Sequence, residues 1–345
     1  MKILIIKLAK IGDVLLTTPL FSNLKAHFKD CKIHILVNYG TDGLLDSTLL
    51  DEVLILKREK NFFKKISSNL SLLFKIKKEK YDLVLGLSSH DRTAFLSLIS
   101  GAKIRVGFNA FNFFTKLSYT HLTTYKDQHN IEQNLDALRI LGIPIVNKIV
   151  SAKRAESCEK LANLPEKFIH CHFFSDFLFK CLDEEICAKI IDFIYNRYKI
   201  TCVLTSSPNK MELQKLQNIK NLLNTQIINF TGNLSLDEVS LLNSKALAFI
   251  GVDTSIMHLS GANNTPAFGI FGPTLTSIWA IWDNCLQSSC INHKTSKHRI
   301  YTENLPCLPC GKKGCKNSGV SECLKDKLNI ENLLKSLDSF LTPLV

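Results

Sequence analysis

No two glycines stand one residue apart anywhere in the 345-residue chain. The Gly-x-Gly turn of a dinucleotide-binding helix is therefore missing, and so is any Walker A loop. No Gly-x-Ser-x-Gly elbow occurs either. These gaps argue against a nicotinamide dehydrogenase, a P-loop kinase and an elbow-type serine hydrolase. No apolar run reaches the roughly 18 residues that span a bilayer. The apolar start at 1–6 is broken by Lys7, Lys10 and Asp13 before it attains the length of a secretion signal. The expectation is a cytoplasmic protein.

What is present fits a globular α/β chain. The apolar share is 46% and the charged share 21%, and the length suggests two domains. The formal net charge of +12 is unevenly placed: residues 1–154 carry 24 basic and 13 acidic side chains, residues 155–345 carry 19 and 18. A basic half and a neutral half imply different partners, with an anionic one for the first. Of the 12 cysteines, eight are scattered and read as small buried hydrophobes with free thiols.

Short apolar runs at 2–6, 32–37, 53–56, 81–87 and 104–106 alternate with helical patterns at 19–28, 61–78, 93–99 and 130–141. The alternation restarts at 167–172 and continues through 267–270. Strand–helix alternation predicts parallel sheets flanked by helices. The expected architecture is an N-terminal Rossmann-like domain at 1–155, a second at 156–327, and a helix near 328–341 in a tail (328–345) that packs back across the lobes. Two doubly wound sheets facing a central cleft bind ligands at the C-terminal ends of their strands.

Two stretches carry chemistry. In Ile11-Gly12-Asp13-Val14-Leu15, Gly12 permits close backbone approach, and Asp13 either takes a proton from an attacking hydroxyl or caps a helix. In Gly251-Val-Asp253-Thr254-Ser255-Ile-Met-His258 a strand gives way to a helix whose free N–H groups suit phosphate. Asp253, repelled by phosphate, would face sugar hydroxyls or cap the helix, and His258 is a ligand or a packed residue. Phe271-Gly272-Pro273-Thr274 is a second tight turn after a strand.

Together these stretches resemble glycosyltransferase family 9, the ADP-heptose:lipopolysaccharide heptosyltransferases of the GT-B fold, over nearly the whole chain. The resemblance implies an inverting, cofactor-free and metal-independent transfer of heptose from ADP-heptose to the phosphorylated, lipid-linked inner core of lipopolysaccharide. Asp13 matches the general base. Lys180 matches the lysine that neutralises the donor diphosphate, Glu212 an acidic residue on the ribose, and Asp253 a residue on the sugar hydroxyls. Thr254 and Ser255 match the phosphate-facing turn, with His258 on the same helix and Gly12 and Gly272 in the cleft backbone. The chain departs from the family where His170-Cys171-His172 replaces a Pro-Gly, Leu182 an aromatic, and Ser255 a glycine. Two rivals remain: a related GT-B transferase for another nucleotide sugar, and a nucleic-acid-binding protein using the basic half. Sparse aromatic interleaving counts against the second.

The basic half holds Lys57, Arg58, Lys60, Lys64, Lys65, Lys75, Lys77, Lys78 and Lys80 against Glu59 and Glu79, with Phe62 and Phe63 among them. The stretch is a solvated helix face or a surface for an anionic lipid acceptor at the cytoplasmic face of the inner membrane. The remaining four cysteines, Cys307, Cys310, Cys315 and Cys323, have the spacing Cys-x2-Cys-x4-Cys-x7-Cys. They are reduced thiols, a labile disulfide, or ligands of a structural zinc. A similar Cys-x2-Cys-Gly tail belongs to the third-heptose branch of the family.

Overall fold

Residues 3–6 are apolar without alternation, a pattern tolerated only by a strand covered on both faces. In the computed structural model they form the centre of β1 (Lys2–Lys7), fully buried. The structure describes residues 1–59, 61–108, 112–290 and 297–345. Lys60 and the side chain of Lys65, both in the basic stretch, lie outside the described residues.

The chain divides into two units, Met1–Lys153 and Arg154–Val345. The seam is sharp. Lys153 N–H donates inward to Leu44 O at 2.9 Å, and Ala155 N–H donates to Asp237 O of the second unit at 3.1 Å.

In the first unit β1 is followed by α1 (Ile11–Leu15), α2 (Pro19–His27), β2 (Lys32–Asn38), β3 (Glu52–Leu56), α3 (Phe62–Glu79) and β4 (Leu83–Gly86). Then come α4 (Asp91–Ile99), β5 (Ile104–Phe108), α5 (Phe113–Ser118), β6 (His121–Thr123) and α6 (Asn130–Arg139). The sheet order is β3-β2-β1-β4-β5-β6, all parallel. Leu4, Ile6, Leu36 and Val84 point to one face, against Ile76 of α3 and Leu96 of α4.

The second unit runs β7 (Phe168–His172), α7 (Glu184–Tyr198), β8 (Thr201–Leu204), α8 (Lys210–Leu222), β9 (Ile228–Asn229), α9 (Leu236–Lys245), β10 (Ala248–Val252), α10 (Ser255–Ala262) and β11 (Ala267–Phe271). It closes with α11 (Thr276–Trp279), the hairpin β12 (Trp282–Asp283) and β13 (Ser288–Ser289), β14 (His298–Thr302) and α12 (Ile330–Leu341). Its main sheet is β14-β11-β10-β7-β8-β9, again parallel. Written by order along the chain, each sheet reads 3-2-1-4-5-6, the Rossmann winding, twice over. Leu333, Leu337, Phe340 and Leu341 of α12, spaced for one helix face, join the second unit's own core. Phe340 packs 5.5 Å from Phe268 of β11. Each such fully buried large side chain contributes about 1.5–3 kcal/mol relative to exposure.

Candidate active site

In each sheet the first strand in chain order and the fourth, which lies directly beside it, send their connections in opposite directions, which opens a crevice at their C-terminal ends. In the second unit that point lies between β7 and β10, where His172 pairs with Gly251. A Cβ on Gly251 would lie 2.4 Å from His172 O, so glycine is what lets the two strands approach here.

Asp253 and Thr254 leave β10 directly at this edge. Lys180 reaches it from the other side, on a single 3-10 turn (Leu178–Lys180) after β7. Its Nζ donates to Asp253 Oδ2 at 2.6 Å, with the side chains 18% and 4% exposed. The Phe177 ring centroid lies 5.8 Å from the same ammonium. His258 Nε2 stands 3.8 Å from the other Asp253 oxygen. The helix cap is Thr254 rather than Asp253, and it makes no side-chain capping bond. Its Oγ1 is buried with no hydrogen-bond partner among the described residues. Such a hydroxyl ordinarily caps its own helix. Here the hydroxyl and the first-turn N–H groups of α10, beginning at Ser255, remain available to an oxyanion. The structure thus brings Lys180, Asp253, Thr254, Ser255 and His258 together.

Glu212 lies in the first turn of α8 and is 3% exposed. Its Oε2 accepts from Ser207 N–H (2.7 Å) and its Oε1 from Asn209 Nδ2 (2.9 Å). The carboxylate thus holds the loop that leads into its helix, which Asn209 caps by accepting from Glu212 N–H. Gly272 follows β11, and a Cβ there would meet Leu324 at 2.7 Å and Cys323 Sγ at 3.2 Å.

In the first unit, α1 begins at Ile11 with Lys10 as its cap, so Asp13 is a first-turn residue and not the N-cap. Its partly exposed carboxylate makes no hydrogen bond or ion pair among the described residues. Gly12 is buried beside it.

Two features escaped the sequence reading. Lys7, the last residue of β1, is 4% exposed. Burial pushes its ammonium below its ordinary value, and the nearby Asp13 carboxylate pulls it back up. Its Nζ donates to Asn134 Oδ1 of α6 at 3.1 Å, and Asn134 Nδ2 donates to Leu16 O just after α1 (3.1 Å). A lysine ending a buried strand was the available signal. The second feature is a hydrogen-bond chain where the Pro-Gly is replaced. Asn243 Nδ2 donates to His170 Nδ1 (3.1 Å), which leaves the ring proton on Nε2 to donate to Thr205 Oγ1 (2.8 Å). The Thr205 hydroxyl is then free to donate to His172 Nδ1 (3.0 Å). Burial holds both imidazoles neutral, with His172 lowered to about 4.

The basic stretch forms α3, capped by the Asn61 side chain. Phe62, Ile66, Leu70 and Phe74 recur every four residues on it and are all exposed, as is Phe63. No helix among the described residues is long and apolar enough to cross a membrane.

The sequence profile described as glycosyltransferase family 9 (heptosyltransferase) matches residues 70–319. Lipopolysaccharide heptosyltransferase 3 of Escherichia coli K12 is 29% identical over 318 residues, covering 86% of this chain and 92% of that protein. Among solved structures, ADP-heptose lipopolysaccharide heptosyltransferase II of E. coli superposes with a TM-score of 0.76 at 17% identity, covering 99% of each chain. The E. coli heptosyltransferase WaaC, solved with ADP, superposes with a TM-score of 0.71 at 16% identity, covering 99% of this chain and all of that one. The two superpositions show a shared GT-B fold.

Proposed function

The chain belongs to glycosyltransferase family 9, and from that membership we propose that it moves a heptose from ADP-heptose to the inner core of lipopolysaccharide with inversion at the anomeric carbon. The observation that carries the reading is the Lys180–Asp253 pair, set beside the uncapped Thr254 turn at the crevice of the second sheet. This is a site for a diphosphate joined to a polyol.

On this reading the donor enters a place whose charges already cancel. Its diphosphate takes over the Lys180 ammonium, and Thr254, Ser255 and the α10 amides donate to phosphate oxygens. Asp253, released, accepts from sugar hydroxyls, with His258 behind it. Glu212 meets the ribose through the lone pairs that Ser207 N–H and Asn209 Nδ2 leave spare. As the glycosidic bond to ADP breaks, negative charge grows on the leaving diphosphate, where fixed donors are worth about 3–4 kcal/mol each. Asp13 takes the proton from the acceptor hydroxyl as that oxygen attacks the opposite face, a contribution of typically 10²–10⁴ in rate.

The acceptor is a phosphorylated, lipid-linked core, bound by the first unit. The exposed apolar stripe of α3 beside Lys64, Lys75, Lys77 and Lys78 supports docking at an anionic lipid surface, the cytoplasmic face of the inner membrane. The test is release of ADP from ADP-heptose in the presence of purified acceptor. Asp13→Asn should fold normally, bind ADP and lose at least about 100-fold in turnover. Full activity in that variant would remove Asp13 from the mechanism. Thermal shifts that favour UDP or GDP over ADP would replace the donor.

A further inference from the structure

The transfer reaction leaves four cysteines without a task. Cys307, Cys310, Cys315 and Cys323 all line one cavity, together with Pro273 and Ser321. Packing accounts for Cys323, which is buried, but not for Cys307, which is exposed, or for Cys310 and Cys315, which are half-buried. The segment between β14 and α12 contains no strand or α-helix, only single 3-10 turns at Cys315–Asn317 and Glu322–Leu324. A connection this long ordinarily needs something to hold it.

The backbone is already shaped around the sulfurs. Gly311 directly follows Cys310 with φ +66°, and Gly314 directly precedes Cys315 with φ +90°. At Gly314 a Cβ would lie 2.5 Å from Val320 N, so the turn closes only with glycine. Gly311 N–H donates to Pro273 O (2.7 Å), and Cys315 N–H donates to Val320 O (2.7 Å). Glu322 N–H donates to Cys315 Sγ at 3.4 Å. Ser321 Oγ, on a residue 2% exposed, has no hydrogen-bond partner among the described residues and lines the same cavity. Lys312, Lys313 and Lys316 supply positive charge along the same segment, where Lys325 and Lys327 are paired with Asp183 and Glu322.

We propose that Cys307, Cys310, Cys315 and Cys323 form a tetrathiolate site for one divalent thiophilic metal ion, zinc or iron(II), which ties the segment to the turn at 271–273. Four sulfurs in a tetrahedral set select these ions. Binding converts four thiols and M²⁺ into a dianionic M(S-Cys)₄ centre and releases four protons to solvent, with no change of oxidation state. The neighbouring lysines offset the two negative charges. The sulfurs surround the cavity rather than converge: among the described residues no three His, Cys, Asp or Glu side chains stand together at ligand spacing. An ion would be held by these four only once the sulfurs move inward to ligand distance. Because Cys323 Sγ stands against Gly272, the centre braces the turn beside β11 and takes no part in the chemistry. The inference does not depend on the donor or acceptor assignment.

The test is the metal content of the full chain, purified under argon with a tag free of histidine, by inductively coupled plasma mass spectrometry. The expected result is about one zinc or iron per chain, falling below a tenth in Cys310→Ser/Cys315→Ser. A visible sulfur-to-iron absorption after air oxidation separates iron from zinc. Should the double variant fail to fold, the wild-type chain decides: about four equivalents of an organomercurial must release the ion stoichiometrically. Less than a tenth of an equivalent after reconstitution with Zn²⁺ or Fe²⁺ overturns the proposal. So does metal retained in a folded double variant, or a disulfide among the four mapped in the native chain.

Discussion

Removing either member of the Lys180–Asp253 pair should change stability and ADP binding in patterns that no single role can mimic. In Asp253→Asn the ammonium of Lys180, only 18% exposed, loses its counter-ion at 2.6 Å. Breaking a fully buried pair from one side costs 3–5 kcal/mol, and partial exposure reduces that to about 2 kcal/mol. At about 2–4 °C per kcal/mol for a unit of this size, the second unit should melt about 4–8 °C lower. Saturating ADP should reverse part of this loss, because its diphosphate now meets an ammonium that no carboxylate holds. Ligand at 100 times its Kd returns about 2.7 kcal/mol. The ADP-induced shift in Asp253→Asn should therefore exceed that of the wild-type chain. In Lys180→Ala it should shrink, because diphosphate then meets Asp253 bare. Differential scanning fluorimetry with and without ADP measures all four quantities. An ADP shift in Lys180→Ala equal to wild type would refute the assignment of that lysine to the diphosphate.

Three further outcomes follow from the structure. Lys7→Met removes a buried charge whose titration is lowered by burial. Between that lowered value and 10.5 the unfolded chain binds the extra proton, so at neutral pH the charge costs stability. The variant should melt no lower than wild type, yet turn over at least about 10-fold more slowly. Unchanged turnover would make Lys7 merely structural. On acidification, His172 and His298, both held near 4 against 6.5, stay neutral when folded but gain protons when unfolded. Stability should fall between pH 6.5 and 4, by about 3 kcal/mol for each imidazole at the lower end, and a flat urea-midpoint profile over that range would contradict the burial argument. Phe62→Ser/Phe63→Ser/Lys64→Gln should weaken co-sedimentation with anionic vesicles about fivefold or more and raise the acceptor KM, at about 1 kcal/mol for the lysine alone. A shift in ADP affinity in that variant would mean that the effect is not confined to α3.

Strands covered on both faces were legible because nothing but burial explains runs such as 3–6 or 248–252, and the helix at 330–341 announced itself by spacing. β14 was not. His298-Arg-Ile-Tyr-Thr302 alternates weakly, and only its pairing with β11 makes it a strand. Likewise β6 is three residues held by β5. Around the candidate site, Asp253 and Thr254 were visible as a strand-to-helix junction, but which of them caps α10 depends on torsion angles. The ion pair with Lys180, 73 residues away in sequence, is set by the order of strands in the sheet. The apolar stripe of α3 escaped notice because the lysines between its phenylalanines dominate the composition; only exposure distinguishes a stripe left outside from one turned inward.

The abrupt change of partner at the seam, where Lys153 bonds back to Leu44 and Ala155 forward to Asp237, has a consequence for recombination. Each half completes one full Rossmann winding on its own side of a single residue, Arg154. A crossover between two family members at that position exchanges one whole unit for another and leaves every strand pairing described in both sheets intact. A cut fifteen residues later would divide β7 from the start of its sheet. Arg154 is therefore where hybrids of two family members should be joined, and where gene fusion or exchange would cost the fold least.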